Sequence, residues 1–470
     1  NDVIIDGCTA YNTKRWGGII VFGAYSENRR SRNITIRNST VYNVYGDGIL
    51  EACVVDAIIE NCVSHDVGNM PENRMGTPNG IWQYFTDNGT VRNCEAYNTH
   101  SPQHDGGGFD IDILNKNCTV EYCYAHDNDA YGVAVFAAFD PYLKRGTTVN
   151  SVVRYNLFYN NGRTAPTVGG DGCDQGDIYI FSWNNGDFDG VQIYNNTSVW
   201  QPVQDFAAIK AIDNKYVGTL PNFIRNNIIQ SNQPILTNIG PGIELSNNLY
   251  FFTDDDKGNP PSWIYNGKVY NSLLTYNTES GEEWNSIYAD PLFESGSVKL
   301  SAGSAATNAG TYIFDRGPRD YYKVAIPQGQ FCDIGAAESY NLALNPGFDK
   351  GNRFPWSVWL LDGYAGVTSF ERRSGSHSGF VGGGVATLSQ EILELTPNTT
   401  YTASGYVLNE SFPSGNVYFG VKDAGTDEVS VAIENTNDLW KFVSINFKTG
   451  PASNSALVYL YCKDVTTWSW

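Results

Sequence analysis

A short motif recurs along the first half of the chain and restricts the folds that the chain can adopt. Each copy has Ile, Val or Leu at its first position and Cys, Ser or Asn at its fourth position. The residues at the fourth position are Cys8, Ser39, Cys62, Cys94, Cys123, Asn156, Asn196, Asn227 and Asn248. Successive copies lie about 20 to 40 residues apart, which is the period expected of a stacked solenoid.

A second apolar segment follows most copies and often begins with glycine, as in Gly18–Val21, Gly80–Trp82, Gly108–Asp112 and Gly132–Val135. Both kinds of segment alternate apolar and polar residues and lack a helical period, so each predicts a short β-strand. Two short strands per repeat, separated by polar corners, predict an all-β domain with the fold of a right-handed parallel β-helix. The cysteines of the motif are then expected to be small buried residues in a tight bend rather than disulfide partners.

Length and charge limit the number of domains and the kinds of partner. The chain has 470 residues, which exceeds one compact core and predicts at least two domains. A net charge of −20 disfavours nucleic acid as a partner. No run of about 18 apolar residues occurs, so no membrane span is expected. The chain opens directly on a copy of the repeat, and we expect a processed protein that is a monomer.

The character of the sequence changes after residue 340, and this change places a domain boundary there. Residues 300–310, 315–319 and 333–338 resemble the closing segment of many secreted β-helix carbohydrate-active proteins. The predicted domains are therefore a β-helix over residues 1–340 and a second domain over residues 341–470.

The second domain has short alternating strands and frequent turns, which are typical of a β-sandwich. The segment 341–349, followed by Trp356-Ser357-Val358-Trp359, resembles the start of a jelly-roll carbohydrate-binding module. This resemblance implies a sugar-binding tail. Its candidate sugar platforms, of which only one or two are expected to be exposed, are Trp356, Trp359, Tyr364, Tyr418, Trp440 and Trp468. The resemblance also implies a secreted or cell-surface protein.

The glycine-led strands present alternate residues to opposite faces. Ile81, Phe109, Ile111, Val133, Ile178 and Ile180 are expected to point inward. The residues expected to point outward include Trp82, Tyr84, Asp110, Asp112, Tyr179 and Lys210. Aromatic rings beside carboxylates suit a site that cleaves sugars, because the rings bind sugar faces and the carboxylates transfer protons or attack. Trp82, Tyr84, Tyr179 and Lys210 are therefore the candidate substrate-binding residues.

The candidate catalytic residues are Asp105, Asp110 and Asp112, at either end of a glycine-rich link. Asp110 and Asp112 are two residues apart in a strand, so their Cα atoms would be about 6.5 to 7 Å apart, near the separation of an inverting pair. Alternatively, the glycines at 106–108 allow a sharp bend that brings Asp105 beside Asp112 at the closer separation of a retaining pair. The spacing of Asp105 and Asp112 is similar to that of the paired aspartates of the β-helical lacto-N-biosidase family, which implies a glycoside hydrolase.

Carboxylates and basic residues in this pattern also fit a calcium site or a polysaccharide lyase. Clustered carboxylates also bind calcium, and Asp171, Asp174 and Asp177 are the candidate metal ligands. A polysaccharide lyase with calcium, acting on a uronate-containing glycan, would need a base and a positive charge beside the uronate. Lys210 is expected roughly 14 Å from the aspartates, too far for one site without an insertion.

The sequence thus predicts a glycoside hydrolase that acts on an oligosaccharide or polysaccharide. Its chemistry requires no cofactor, and a structural calcium ion is the alternative use of the carboxylates. A lyase and a non-catalytic glycan-binding adhesin are the competing hypotheses.

Overall fold

The computed structural model describes residues 2–69, 77–101, 104–164, 175–201, 206–212, 214–254, 260–301, 304–326, 332–339, 342–345, 347–348, 351–373, 377–410 and 416–470. Within these ranges the chain is nearly all β-structure, with one α-helix, α1, at Leu273–Ser280. No helix in the described part of the chain has the length and apolar character needed to cross a membrane. Contacts between Cα atoms divide the chain into two compact units.

The first unit is a parallel β-helix in which each turn adds one strand to each of three sheets. The strands of sheet 1 are β1 (Val3–Asp6), β4 (Ser31–Arg37), β7 (Val54–Glu60), β10 (Asp87–Arg92), β13 (Lys116–Glu121), β16 (Thr147–Arg154), β19 (Asp187–Tyr194), β22 (Phe223–Arg225) and β25 (Glu244–Ser246). The strands of sheet 2 are β2 (Thr9–Tyr11), β5 (Thr40–Val44), β8 (Val63–Val67), β11 (Glu95–Thr99), β14 (Tyr124–His126), β17 (Leu157–Tyr159), β20 (Thr197–Trp200), β23 (Ile228–Ser231), β26 (Leu249–Phe252) and β29 (Ile287–Tyr288).

Sheet 3 carries the candidate site and is parallel except at its last strand. Its strands are β3 (Gly17–Phe22), β6 (Asp47–Ala52), β9 (Ile81–Tyr84), β12 (Phe109–Ile111), β15 (Tyr131–Ala138), β18 (Gly176–Trp183), β21 (Ile209–Ile212), β24 (Leu236–Ile239), β27 (Trp263–Tyr265) and β28 (Lys268–Tyr270). Strands that are three apart in sequence pair side by side, so each turn of the β-helix has three strands rather than the two that the sequence predicts.

The recurring motif forms the bend between sheets 1 and 2. Its third residue lies in the left-handed region, for example at Asn195 with φ 52° and Asn226 with φ 55°. Asparagine tolerates this conformation better than most residues because its short polar side chain can bond locally. The fourth residues stack inside the coil: the backbone N–H of Asn196 donates to Oδ1 of Asn227, and that of Asn227 to Oδ1 of Asn248, both at 3.0 Å.

The cysteines of the motif occupy the same stack at earlier turns. The backbone N–H of Cys62 donates to Sγ of Cys94 at 3.5 Å, so sulfur replaces the amide oxygen there. All cysteines in the described ranges are free thiols. Of the motif cysteines, Cys62, Cys94 and Cys123 are buried as predicted, whereas Cys8 on the first turn is exposed.

The second unit contains Ser339–Trp470 together with the short segments Leu292–Ser295 and Lys299–Ala309. Its sheets are antiparallel, which is consistent with the predicted β-sandwich. The five-stranded sheet runs in the order β30 (Ser357–Leu360), β33 (Ala386–Ile392), β38 (Ala456–Cys462), β35 (Val417–Lys422) and β36 (Val429–Ile433). The remaining strands are β31 (Tyr364–Thr368), β32 (Ser378–Gly382), β39 (Trp468–Ser469), β34 (Thr400–Val407) and β37 (Lys441–Lys448).

Candidate active site

Asp110 and Asp112 project from the outer face of sheet 3. Their strand neighbours Phe109 and Ile111 are fully buried in the core of the β-helix. Because side chains alternate along a strand, the aspartates face away from that core. Asp110 pairs in register with Trp82 of β9 on one side and with Ala134 of β15 on the other.

Four carboxylates gather at this point: Asp47, Asp105, Asp110 and Asp112. Asp110 is only 2% exposed, whereas Asp105 and Asp112 are partly exposed. Burial raises the pKa of Asp110 well above its usual range, and the negative charges of Asp112, Asp105 and Asp47 raise it further. The protonated form of Asp110 is therefore favoured.

The two carboxylates beside Asp110 are also perturbed. Burial raises the pKa of Asp112 to about 7, although the backbone N–H of Ile113 donates to its Oδ1 at 2.7 Å and favours the ionised form. Burial raises the pKa of Asp47 to about 7 as well, and the charge of Asp112 adds to this shift. The cluster thus carries protons near neutral pH, and Asp112 is a protonated group that solvent can reach.

Asn79 connects three of the aspartates. Its Nδ2 donates to Oδ2 of Asp110 at 3.1 Å, and its backbone N–H donates to Oδ1 of Asp47 at 3.2 Å. Its Oδ1 accepts from the hydroxyl of Tyr131 at 2.8 Å, and the same hydroxyl lies 3.3 Å from Oδ1 of Asp105. Asn79 and Tyr131 are both fully buried, so they hold the carboxylates in a fixed arrangement.

The second oxygen of Asp110 has no hydrogen-bond partner among the described residues. A buried carboxyl oxygen without a partner is costly, so such a group needs an explanation. Here Oδ2 accepts from Nδ2 of Asn79, and Oδ1 is the oxygen without a partner.

The predicted aromatic neighbours divide into accessible and covered residues. Trp82 and Tyr84 are partly exposed, and their ring centroids lie 6.5 Å apart. Tyr179 follows Ala134 in the same outward row but is fully buried beside Tyr131 and Phe136. Trp82 and Tyr84 are therefore open to a ligand in this structure, whereas Tyr179 is not.

Lys210 continues the row beyond Tyr179 and is 6% exposed. Its Nζ lies 5.6 Å from the centre of the Phe206 ring. Three strand-to-strand steps separate β21 from β12, and strands in a sheet lie about 4.8 Å apart. Lys210 is thus remote from the aspartates, as the sequence predicts.

The candidate metal ligands are only partly described. Asp171 and Asp174 lie outside the described residues. Asp177 is fully buried, and its two oxygens accept from Nδ2 of Asn161 at 2.8 Å and from Oγ of Ser198 at 2.5 Å. Its partners are thus other residues of the coil interior. No group of three or more His, Cys, Asp or Glu arranged for a metal ion occurs within the described ranges.

Two of the sugar platforms predicted in the tail, Trp356 and Trp440, are partly buried. Nε1 of Trp356 donates to the carbonyl oxygens of Leu344 and Asn345, and its ring packs on Phe348 with centroids 5.1 Å apart. Trp440 is partly buried just before β37. The five-stranded sheet instead presents a row of side chains across adjacent strands, namely Trp359, Thr387, Tyr461 and Tyr418.

This row has the features of a sugar platform. Trp359 is 56% exposed, and the rings of Tyr418 and Tyr461 stack with centroids 6.1 Å apart. On β33, β38 and β35 the residues on either side of this row, such as Leu388 and Leu460, are buried in the core. The row therefore lies on the outer face of the sheet.

Two family models match this chain. Residues 1–197 match the model described as right handed beta helix region, and residues 340–466 match the model described as carbohydrate binding domain. The fold of this chain is a right-handed parallel β-helix followed by antiparallel sheets consistent with a β-sandwich. The predicted fold class is confirmed.

A curated relative matches part of this two-domain chain. It is the keratan-sulfate endo-1,4-beta-galactosidase of Sphingobacterium multivorum, which is 35% identical over 124 residues. The match covers 26% of this chain and 28% of the relative, so the chain spans less than a third of the relative's length.

Solved structures show more distant likeness. The module TmCBM61, in complex with beta-1,4-galactotriose, has 22% identity and a TM-score of 0.24, and the match covers 28% of this chain and 93% of that chain. XylC, in complex with xylose, has 12% identity and a TM-score of 0.37, and the match covers 67% of this chain and 51% of that chain.

Proposed function

We propose that this β-helix is a glycoside hydrolase that cleaves a polysaccharide or complex glycan through aspartates on sheet 3. The observation that supports this most directly is the cluster around Asp110. Two partly exposed carboxylates, Asp105 and Asp112, flank the buried carboxyl of Asp110, whose pKa is raised by burial and by their negative charges. Glycosidases need one protonated and one ionised carboxyl group across the scissile bond.

Asp112 is the proposed general acid. It is accessible, and its pKa of about 7 keeps a large protonated fraction near neutral pH. A catalytic acid is most effective when its pKa lies close to the working pH. Asp105, or alternatively Asp110, is the proposed base or nucleophile.

The burial of Asp110 favours a supporting role for that residue. Its carboxyl is buried and accepts a hydrogen bond from Asn79, so a substrate does not reach it. Its interaction with Asp105 and Asp112 is electrostatic. Asp105 has an accessible carboxyl and a neighbouring hydroxyl from Tyr131. We therefore assign Asp105 and Asp112 as the pair that touches the substrate.

Sugar recognition is proposed to involve both units. Trp82 and Tyr84 are accessible rings on the turn before the aspartates, where they can bind sugar faces. In the carbohydrate-binding domain, the row containing Trp359, Tyr461 and Tyr418 is the proposed platform that holds the enzyme to its glycan. The name of the partial relative makes galactose-containing glycans such as keratan sulfate the first substrates to test.

The test compares the wild-type chain with Asp112→Asn and Asp105→Asn on a glycan panel, with release of reducing ends as the assay. Each substitution should lower kcat by about 10²- to 10⁴-fold, the usual contribution of a positioned acid or base. Asp56→Asn is the matched control, because it neutralises an exposed aspartate on sheet 1. Full activity of both variants would rule out this site.

The same panel separates the competing functions. A lyase would give products with the ultraviolet absorbance of a new double bond, whereas a hydrolase would not. An adhesin would bind glycans without releasing any reducing ends. Asp112→Asn should retain glycan binding, because it removes the acid without removing the rings of Trp82 and Tyr84.

A further inference from the structure

Three tyrosine rings stack beside the proposed active site. Tyr84 lies on β9, Tyr25 follows β3, and Tyr142 follows β15. The ring centroids of Tyr25 and Tyr84 are 6.1 Å apart with an interplanar angle of 4°, and those of Tyr25 and Tyr142 are 6.0 Å apart with an angle of 26°. The three rings therefore form one stack assembled from distant parts of the chain.

This stack begins next to Asp112. Burial raises the pKa of the Tyr84 hydroxyl, and the negative charge of Asp112 adds to the shift, so the two side chains lie within electrostatic reach. Trp82, which pairs with Asp110, contacts the other side of Tyr84 edge to face. A series of rings thus leads from the aspartates to Tyr142.

Hydrogen bonds brace the segment that carries Tyr142. The hydroxyl of Tyr25 donates to Oδ2 of Asp140 at 2.5 Å, and the backbone N–H of Leu143 donates to Oδ1 of the same residue at 2.6 Å. The backbone N–H of Asp140 donates to the carbonyl oxygen of Arg145 at 2.7 Å, which closes the turn.

Arg145 fixes the turn to the body of the β-helix. Its guanidinium bonds Oε1 of Glu27 at 2.6 Å and lies 5.1 Å from the centre of the Phe85 ring. The residues on both sides of Tyr142 are thus held in place before any ligand arrives. Preorganised contact residues lose little freedom on binding and so bind more tightly.

Tyr142 is nevertheless 75% exposed. One face of its ring lies toward Tyr25, and the exposed surface leaves the other face open. Single exposed apolar side chains are common on proteins. Tyr142 is a different case, because hydrogen bonds hold the turn that carries it and its ring stacks on Tyr25.

We infer that Tyr142 forms a distal sugar subsite, which binds an uncleaved part of an extended glycan chain. The inference rests on the proposed hydrolase function and adds a requirement for substrate length. Two ring-to-ring steps separate Tyr84 from Tyr142, so a ligand must contain several linked sugars to reach from Asp112 to Tyr142.

The test measures kcat/KM on a series of oligosaccharides of increasing length, from the shortest cleaved substrate upward, prepared from the glycan that the wild type cleaves. Tyr142→Ala should lower kcat/KM about tenfold on the longest oligosaccharides and leave the shortest unchanged. Tyr142→Phe keeps the ring and should behave like the wild type. Tyr159→Ala, which removes an exposed tyrosine from sheet 2, is the matched control.

An equal loss on short and long substrates would overturn the inference, because it would indicate a general effect on the fold. No loss on long substrates would overturn it as well. If the wild type cleaves nothing, the hydrolase proposal fails. The wild type and Tyr142→Ala are then compared by their Kd for long and short oligosaccharides. A length-dependent loss of binding in Tyr142→Ala would then support the subsite, and unchanged binding would refute it.

Discussion

Replacing Glu51 with glutamine should change how the stability of the β-helix depends on pH. Glu51 is fully buried between Val21 and Gln83, its neighbours in register on the adjacent strands of sheet 3. Its Oε2 accepts from Nε2 of Gln83 at 3.1 Å, and its Oε1 has no partner among the described residues. Burial raises the pKa of Glu51 to about 8.

The direction of the effect follows from this shift. The folded protein binds the Glu51 proton more tightly than the unfolded chain, where the pKa is ordinary at 4.5. The stabilisation from this proton is complete below the unfolded pKa and is lost as the pH rises through the folded pKa. Between about pH 6 and about pH 9, this one group should lower the free energy of unfolding by about 3 kcal/mol.

Glu51→Gln keeps the size and shape of the side chain and removes the titration. Urea unfolding of wild type and variant, measured at the same series of pH values, gives the difference in free energy of unfolding at each pH. This difference should shift in favour of the variant by about 3 kcal/mol over that range. Other buried acids such as Asp47 and Asp177 also titrate near pH 7, but they are common to both proteins and cancel.

Asp56→Asn provides the control for charge alone. Asp56 is exposed on sheet 1, and its Oδ1 accepts from Nδ2 of Asn88, a bond that asparagine can keep. The free energy of unfolding of Asp56→Asn, plotted against pH, should run parallel to that of the wild type. Parallel curves for Glu51→Gln as well would refute the reasoning, because they would mean that Glu51 ionises in the folded protein as easily as in the unfolded chain.

Two further predictions concern buried asparagines. Asn79→Leu removes the hydrogen bond to Asp110 and so raises the pKa of that carboxyl further. The variant should have a kcat about tenfold lower and a displaced pH–rate profile. An unchanged profile would contradict this. Asn227→Ala removes the acceptor of the Asn196 backbone N–H and should lower the free energy of unfolding by about 2–4 kcal/mol, measured by urea unfolding. Asn227→Ser should lose less, because Ser39 accepts the equivalent bond at an earlier turn; equal losses would contradict this.

The alternation of residues along β12 was enough to place Asp110 and Asp112 on the outer face of sheet 3. It also placed Trp82 beside Asp110, because a repeat with a regular register fixes which residues are neighbours between turns. The sequence did not indicate Asp47 or Asn79 as parts of the site. Each directly precedes a glycine at the start of a sheet 3 segment, Gly48 in β6 and Gly80 just before β9, and this shared position was the available signal.

Burial was harder to predict than orientation. Alternation assigns Tyr179 and Lys210 to the outer face, where they lie, but it does not reveal what covers that face. Tyr131 begins β15 and contributes a ring to the apolar cluster on this face, where it packs against Tyr179 with centroids 6.0 Å apart. Whether the outer face is covered depends on the direction that a side chain such as Tyr131 takes at the end of its strand. The alternation of inward and outward residues does not encode that direction.

The residues in the same outward row as Asp110 indicate that the β-helix does not require an acid at this position. In the same outward row, Leu50 and Ala134 are buried and apolar on turns with the same strand geometry. Asp110 is equally buried, yet it keeps an oxygen without a partner, which costs about 1–3 kcal/mol, and it lies among three other carboxylates. Apolar residues satisfy this row on adjacent turns at no such cost. In the proposed function, Asp110 serves the chemistry between Asp105 and Asp112 rather than the fold.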